Sequence, residues 1–487
     1  LVAMRVLMDP ARTPRRTSGA PRPVVGLIGS GNNGGDALVA LRSFAAWGHP
    51  TRALLVADRP VDDPLLHGWP VEATDDEALD DEELRSVLGS ASMVVDGILG
   101  TGVRGAPRPR QARVIAALND VSAPVVALDV PSGTDASTGA VEGSVVDADL
   151  TVSFGAPKVG ALLHPARAHV GRHVAVEIGF PPLGEDDASA YVVTGGWVAG
   201  RLPRRGTDTH KNRVGRVLVV GGGAGMAGAA VLAGRAAFRA GAGLVQVATA
   251  DENRDAVHAA LPEAMVVRWG DDEELRAALG AADAVVVGPG LGRTAESRKA
   301  LGAALTTGGA PLVLDADALN LVAEGAAKLP KGRPVLMTPH VGEMRRLLGD
   351  ALDASPLDVA RRASLAFECA VVFKGAPSVV ASPHGPVAID TQSSSDLAVA
   401  GMGDTLAGVC GALAAQGLDA HDAGASGLYL SGRAAVLAAR GRGLTPSDVA
   451  EALPRALTEV AGLTDSDQAG ETDLGLPFVL FDADPAR

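Results

Sequence analysis

Residues 398 to 408 read Ala-Val-Ala-Gly-Met-Gly-Asp-Thr-Leu-Ala-Gly and set one carboxylate, Asp404, directly behind Gly401 and Gly403. Glycine lets a backbone turn tightly and approach its neighbours closely. The run Thr405 to Leu418 is apolar and rich in small residues, which predicts a buried helix starting at the acid. A helix start offers unpaired N–H groups and the positive end of a dipole, so it favours an anion. A carboxylate beside such an anion hole suits a general base working next to a phosphate. The same residues also suit an ordinary helix entry with Asp404 in the first turn.

Four other loops in the second half end apolar runs with polar or glycine residues. They are Gly288-Pro289-Gly290-Leu291-Gly292, Asp315-Ala316-Asp317, Thr338-Pro339-His340-Val341-Gly342-Glu343 and Lys374-Gly375-Ala376-Pro377-Ser378. Lys374 offers a point charge for a nucleotide phosphate, and His340 a hydrogen bond to a substrate. Asp315 and Asp317 read as caps of the helix holding Leu319 and Leu321. Gly221 to Gly225 nearly completes a dinucleotide fingerprint, but Val247-Ala248-Thr249 brings no acid to the next strand end, which counts against a dehydrogenase.

The first half repeats the scheme. Val24 to Ile28 runs into Gly29-Ser30-Gly31-Asn32-Asn33-Gly34-Gly35-Asp36, whose glycines admit a phosphate or ribose and whose Asn amides read polar groups or a cation. Asp96 closes another apolar run and is followed by Gly100-Thr101-Gly102-Val103-Arg104-Gly105-Ala106, a phosphate cradle with one Arg. Asp129-Val130-Pro131-Ser132-Gly133 closes a third. Asn33, Asp96 and Ser132 are hard oxygen donors suited together to a monovalent cation, and Asp129 suits acid/base work.

The elements that must hold these loops are continuous apolar strands alternating with helical stretches. That pattern predicts parallel sheets covered on both faces, with ligands at the carboxyl ends of the strands. Strands are expected at Val24–Ile28 and Arg52–Ala57, and within the runs Met93–Gly100 and Val125–Pro131, each a strand passing into a loop with an acid. A second series is expected at Val217–Val220, Leu244–Thr249, Ala284–Val287, Leu312–Leu314, Val335–Met337, Ala370–Phe373 and Val379–Ala381. At 487 residues the chain is long enough for two domains. The Pro-rich and charged stretch between 180 and 212 reads as their seam, which gives domains 1–190 and 200–463. Residues 464–487 read as an acidic tail that carries little.

On these loops the first half resembles the NAD(P)H-hydrate epimerase family over residues 24 to 180, including Phe154-Gly155-Ala156-Pro157-Lys158. The second half resembles the ADP-dependent NAD(P)H-hydrate dehydratases of the ribokinase-like superfamily over residues 200 to 460. The resemblance implies a Rossmann-like parallel-sheet domain followed by a ribokinase-like α/β domain. It implies hydrated-nucleotide contacts at Asn32, Asn33, Gly34, Gly35, Asp36, Gly100, Thr101, Gly102, Val103, Arg104, Gly105, Ala106 and Asp129, and a potassium site at Asn33, Asp96 and Ser132. For the second half it implies the hydrated nicotinamide near Ala229, Gly292, His340 and Asp404. The adenine nucleotide falls on Lys374, Gly375, Ala376, Pro377, Ser378 and Gly403, with ADP as co-substrate and Mg2+ as its ion. Two departures stand out. A Pro/Arg-rich stretch, Met8 to Pro23, replaces the helical segment that usually precedes the first strand. Ser393 to Ser395 and Met402 replace the usual residues around the glycine turn, with Met402 bringing bulk that would alter nucleotide affinity.

Composition bounds the alternatives. A net charge of −14 argues against nucleic acid as partner. Two cysteines, Cys369 and Cys410, both in apolar runs, make neither a disulfide framework nor a metal cluster. No apolar stretch reaches the roughly 20 residues of a membrane span, and the start is not a secretory signal. The expectation is a cytoplasmic homo-oligomer that epimerises hydrated NADH or NADPH and dehydrates the S epimer with ADP. The rivals are an ATP-dependent kinase of a small alcohol or vitamin, and a non-catalytic nucleotide-binding protein.

Overall fold

The computed structural model describes all residues except 8–21, 61, 182–187, 204–213, 350–351, 353, 393, 464–473, 475 and 486–487. The chain divides into two compact units, one formed by Leu1–Pro182 with Ala469–Arg487 and the other by Leu183–Gln468.

The first unit holds β1 (Val24–Ile28), β2 (Thr51–Leu55), β3 (Glu72–Asp75), β4 (Met93–Gly97), β5 (Val125–Leu128), β6 (Leu150–Phe154) and β7 (Arg172–Val176). Every residue of β1, β4 and β5 is buried, as in strands covered on both faces. The order runs from a C-terminal strand (Val479–Ala483) through β7, β6, β5, β4, β1 and β2 to β3. From β1 the chain moves outward to β2 and β3, then returns to the other side of β1 as β4. The crevice at the ends of β1 and β4 is therefore the switch point where such sheets bind ligands.

Two expectations are corrected here. A helix, Val2–Leu7, does precede β1 and buries Val2 and Val6 in the same core, so the Pro/Arg-rich stretch does not stand in its place. Residues 8–21 of that stretch lie outside the described residues. The tail also does more than trail. Val479–Ala483 pairs antiparallel with β7, burying Val479 and Phe481. The Arg172 guanidinium clasps both Asp482 oxygens at 2.7 and 2.5 Å.

The second unit holds β8 (Ala190–Val192), β9 (Arg216–Val220), β10 (Leu244–Thr249), β11 (Met265–Arg268), β12 (Ala284–Val287), β13 (Leu312–Leu314), β14 (Val335–Met337), β15 (Ala370–Phe373), β16 (Ser378–Ala381) and β17 (Val387–Asp390). Their order is β11-β10-β9-β12-β13-β14-β15-β16-β17-β8, parallel except for β16, which runs antiparallel to β15 and β17. The expected seam thus contributes a strand, β8. Strands β11 and β17 were not anticipated, and β17 stands between β16 and the Gly401 turn.

Helix Met402–Ala415 is the centre of this unit, with every residue from Thr405 to Ala414 buried. Small residues make that possible. A Cβ on Gly408 would lie 2.1 Å from the Ala233 carbonyl of helix Ala227–Arg239, and one on Gly411 would lie 2.3 Å from Val286 Cγ2. Gly408→Ala is therefore expected to push two close-packed helices apart, lowering stability by about 1–3 kcal/mol, read as a lower denaturant midpoint for the second unit.

Candidate active sites

In the second unit the loops after β9, β12, β13, β14 and β15 open at one edge of the sheet. Asp315 ends β13 and is 2% exposed. Its Oδ1 accepts from Lys374 Nζ at 2.7 Å and from Thr338 Oγ1 at 2.7 Å. Glu343 is also buried, with Oε2 3.9 Å from the same ammonium. The start of helix Met402–Ala415 sits on this cluster: a Cβ on Gly403 would lie 3.2 Å from Lys374 Nζ and 3.4 Å from Asp315 Oδ2. Gly401 makes the entry at φ +90°, and no side chain caps the helix. Among the described residues the Gly403 and Asp404 N–H groups have no hydrogen-bond partner.

Electrostatics follow from this crowding. Burial pushes the Asp404 carboxyl up to about 7, with Asp315 the next cause, Lys374 opposing, and Asp317 and Glu343 adding. Burial also raises Glu343. For Lys374, burial disfavours the ammonium, but Asp315, Glu343 and Asp404 outweigh it and hold the lysine charged. His340 is lowered by burial and then by Lys374. Its Nδ1 accepts the Gly342 N–H at 2.9 Å, which leaves the ring proton on Nε2 facing Glu343.

The sequence-derived residues converge on this edge. His340 and Lys374 are joined by a backbone bridge. The Gly292 N–H donates to Asp317 Oδ2 at 2.9 Å, tying the β12 loop to the β13 loop. Ala229 lies against the same β12 loop, with its Cβ 3.0 Å from a Cβ built on Gly290. Gly375 to Pro377 turns into β16, where the Ser378 hydroxyl accepts the Gly375 N–H at 3.2 Å. Met402 packs its side chain against the core, so its bulk is absorbed there. Ser393 lies outside the described residues.

Asp315 corrects the sequence reading. It is not a cap, since Ala316 holds the N-cap position at φ +50°, and its partner Lys374 is 59 residues away. The available signal was its place at the end of an apolar strand, the same place as Asp96.

In the first unit, Asn32 to Asp36 form the opening turns of helix Asn32–Ala46 rather than a free loop. Asn33 is buried, and its Nδ2 donates to the Leu99 and Leu128 carbonyls at 2.8 and 3.1 Å. Asp96 is fully buried and accepts from Ser132 Oγ at 2.7 Å, Ser132 N at 2.9 Å and Ile98 N at 3.2 Å. Burial pushes its carboxyl up to about 6 against those bonds, and no charged side chain contributes. Asp96 is joined through Ser132 Oγ to the Leu99 carbonyl, which Asn33 Nδ2 also reaches, so hard oxygens of the kind an alkali cation takes gather here beside a carboxylate without a counter-charge.

Asp129 ends β5 at φ +67°, a region few side chains adopt outside functional or strained sites. Its Oδ1 takes Lys158 Nζ at 2.5 Å and the Phe154 N–H at 3.2 Å. Oδ2 has no partner among the described residues. Asp36 is raised by burial and then by the charge of Asp129. The Gly100 to Ala106 loop is the mostly exposed rim, anchored by Arg104 on Asp135 at 2.9 Å. Sequence reasoning missed Arg59, which pairs with Asp63 at 2.6 Å and donates to the Gly29 carbonyl at 2.9 Å, pinning the turn before Asn32.

Comparison with known proteins agrees with this two-site layout. Residues 217–455 match the family model described as NAD(P)H-hydrate dehydratase, and residues 4–160 match the YjeF-related protein N-terminus. A bifunctional NAD(P)H-hydrate repair enzyme of Moorella thermoacetica is 34% identical over 90% of this chain and 88% of its own length. The Escherichia coli enzyme of that description is 38% identical over 88% of this chain and 84% of its own. The chain belongs to the bifunctional NAD(P)H-hydrate repair enzyme family. Its second unit is similar to a ribokinase-like superfamily protein of Enterococcus faecalis, at 28% identity and a TM-score of 0.53 over 56% of this chain and 97% of that one. The N-terminal match begins inside helix Val2–Leu7. Among the described residues of this repair-enzyme chain, no helix is long and apolar enough to cross a membrane.

Opposite stability effects are expected from two substitutions in the second site. A raised folded-state pKa means the native chain holds the Asp404 proton more tightly than the unfolded chain, so ionising Asp404 costs stability between pH ~4 and ~7. Asp404→Asn should raise Tm at pH 8. Lys374→Met strands Asp315 among acids and should lower stability by about 3–5 kcal/mol; thermal scans at pH 8 check both signs.

Proposed function

We propose that the first unit interconverts the R and S epimers at C6 of hydrated NADH or NADPH, and that the second dehydrates the S epimer at the expense of ADP. The observation that carries the reading is Asp404: a proton-hungry carboxyl at an uncapped helix start, against a lysine held charged by Asp315.

The C6 hydroxyl is a poor leaving group. Asp404 takes its proton, and the oxygen then accepts the terminal phosphoryl of ADP, releasing AMP. The Gly403 and Asp404 N–H groups and Lys374 offset the charge that builds on the transferring group. The ester then leaves as inorganic phosphate, pushed by the ring-nitrogen lone pair, and loss of a C5 proton from the resulting iminium regains NADH or NADPH. Lys374 to Ser378 and Gly403 border the nucleotide, with Mg2+ accompanying it. Ala229, Gly292 and His340 border the nicotinamide.

In the first unit, inversion requires the C6–O bond to break and re-form on the other face. Asp129, its Oδ1 held by Lys158, is the acid/base beside that oxygen. Helix Asn32–Ala46 and the Gly100 to Ala106 rim bind the substrate's polar parts. Asn33, Asp96 and Ser132 hold K+, which when bound supplies positive charge beside the substrate. The kinase reading is set aside, because the relatives that span about 90% of the chain carry both halves.

A base with a carboxyl near 7 makes dehydration faster as pH rises through about 7, since only the ionised form accepts the proton. Asp404→Asn should cut the ADP-dependent rate by about 10²–10⁴-fold, followed as NADH absorbance regained from the S epimer. An unchanged rate would remove Asp404 from the mechanism. Epimerisation of the isolated R epimer should rise with KCl and saturate, and Asp96→Asn should erase that dependence.

A further inference from the structure

The first-unit site leans on a part of the chain that lies beyond the whole second unit. Asp129 holds its left-handed backbone through β6: its N–H donates to the Val152 carbonyl at 2.8 Å, and its own carbonyl accepts from Ser153 Oγ at 2.7 Å. Ser153 Oγ also lies 2.9 Å from His173 Nε2 on β7. The serine has one proton and gives it to Asp129, so the imidazole must donate Nε2–H to the serine oxygen. That fixes the tautomer and leaves the Nδ1 lone pair buried without a partner among the described residues. His173 is fully buried and kept neutral, its pKa pushed down to about 3 by burial first and then by Arg167 and Lys158. Phe481 of the C-terminal strand packs edge to face on the ring, with centroids 5.3 Å apart at 83°. Arg172 on Asp482 and Arg167 on the Asp484 carbonyl clamp that strand in place.

We infer that Phe481, His173 and Ser153 form a positioning chain that runs inward across the sheet edge and holds the strained Asp129 backbone in its working conformation. The C-terminal strand is thereby a working part of the epimerase site. Each link has one role. The phenyl ring keeps water from His173, the fixed tautomer points a donor at Ser153, and the serine proton is directed to the Asp129 carbonyl. None of the three touches the substrate; they act through Asp129.

This rests on the reading of Asp129 as the acid/base, and the test separates the two. In the full chain, Ser153→Ala is expected to lower epimerase kcat about tenfold, the effect of one lost hydrogen bond, with KM within about twofold. Dehydration with ADP should stay at the wild-type rate. Ser153→Thr, which keeps the hydroxyl, should recover most of the loss. Phe481→Ser should reproduce the kcat-selective loss, and Phe481→Leu, which keeps an apolar roof, should not. An unchanged kcat in Ser153→Ala, a loss confined to KM, or an equal fall in both activities would overturn the positioning chain. Asp129→Asn is the separate arm: full epimerisation there would remove the acid/base reading itself.

Discussion

One lysine among four acids governs the second unit. Asp315, Glu343 and Asp404 all bear on the ammonium of Lys374, while Asp317 is drawn to Arg293 at 3.6 Å and Arg346 also bears on Glu343, so the lysine meets three acids with one charge. Asp315 takes it at 2.7 Å, while Asp404 pays with a raised affinity for protons. The arrangement is costly for folding and useful for chemistry, because a carboxyl left near neutrality can both accept a proton and hold it. The fold sustains this crowding by stacking short parallel strands whose ends converge, and by bringing in a helix thin enough to rest on them. Gly403, Gly408 and Gly411 each stand where a side chain would meet another group.

The first unit meets a related constraint with a different answer. Asp96 is sealed at a strand end with hydrogen bonds but no opposing side-chain charge, and burial raises its carboxyl to about 6. Asp129, one strand over, is held on one oxygen by Lys158, with no partner for the other among the described residues. The supports of Asp129 come from successive strands toward the sheet edge, and the outermost belongs to the end of the chain. The two units are therefore interleaved in sequence, since the chain completes the first only after building the second.

Much of this was legible from residue order. Asp404, Lys374, Asn33, Asp96 and Ser132 announced themselves because glycines and acids following apolar runs mark strand ends, and strand ends in parallel sheets are where ligands bind. The resemblance to known families added the identity of the substrates, which no spacing could supply. What stayed hidden depended on distant partners. Asp315 sits in an acid-Ala-acid start that looks locally like a helix cap, and only Lys374 reveals otherwise. The C-terminal strand is short and follows an acidic stretch, and its partner Arg172 lies 310 residues earlier. Helix Val2–Leu7 is too brief to show a periodicity, and β11 and β17 are short strands without distinctive turns.

The chemistry of the second unit turns on the protonation of Asp404 in the folded chain. Isotope-edited infrared titration of the full chain, taking the difference between wild type and Asp404→Asn, reads that carboxyl directly. A midpoint at about 7 is the predicted result. A midpoint at the ordinary aspartate value of 3.8 would show that neither burial nor Asp315 bears on it, and the base at the helix start would be lost.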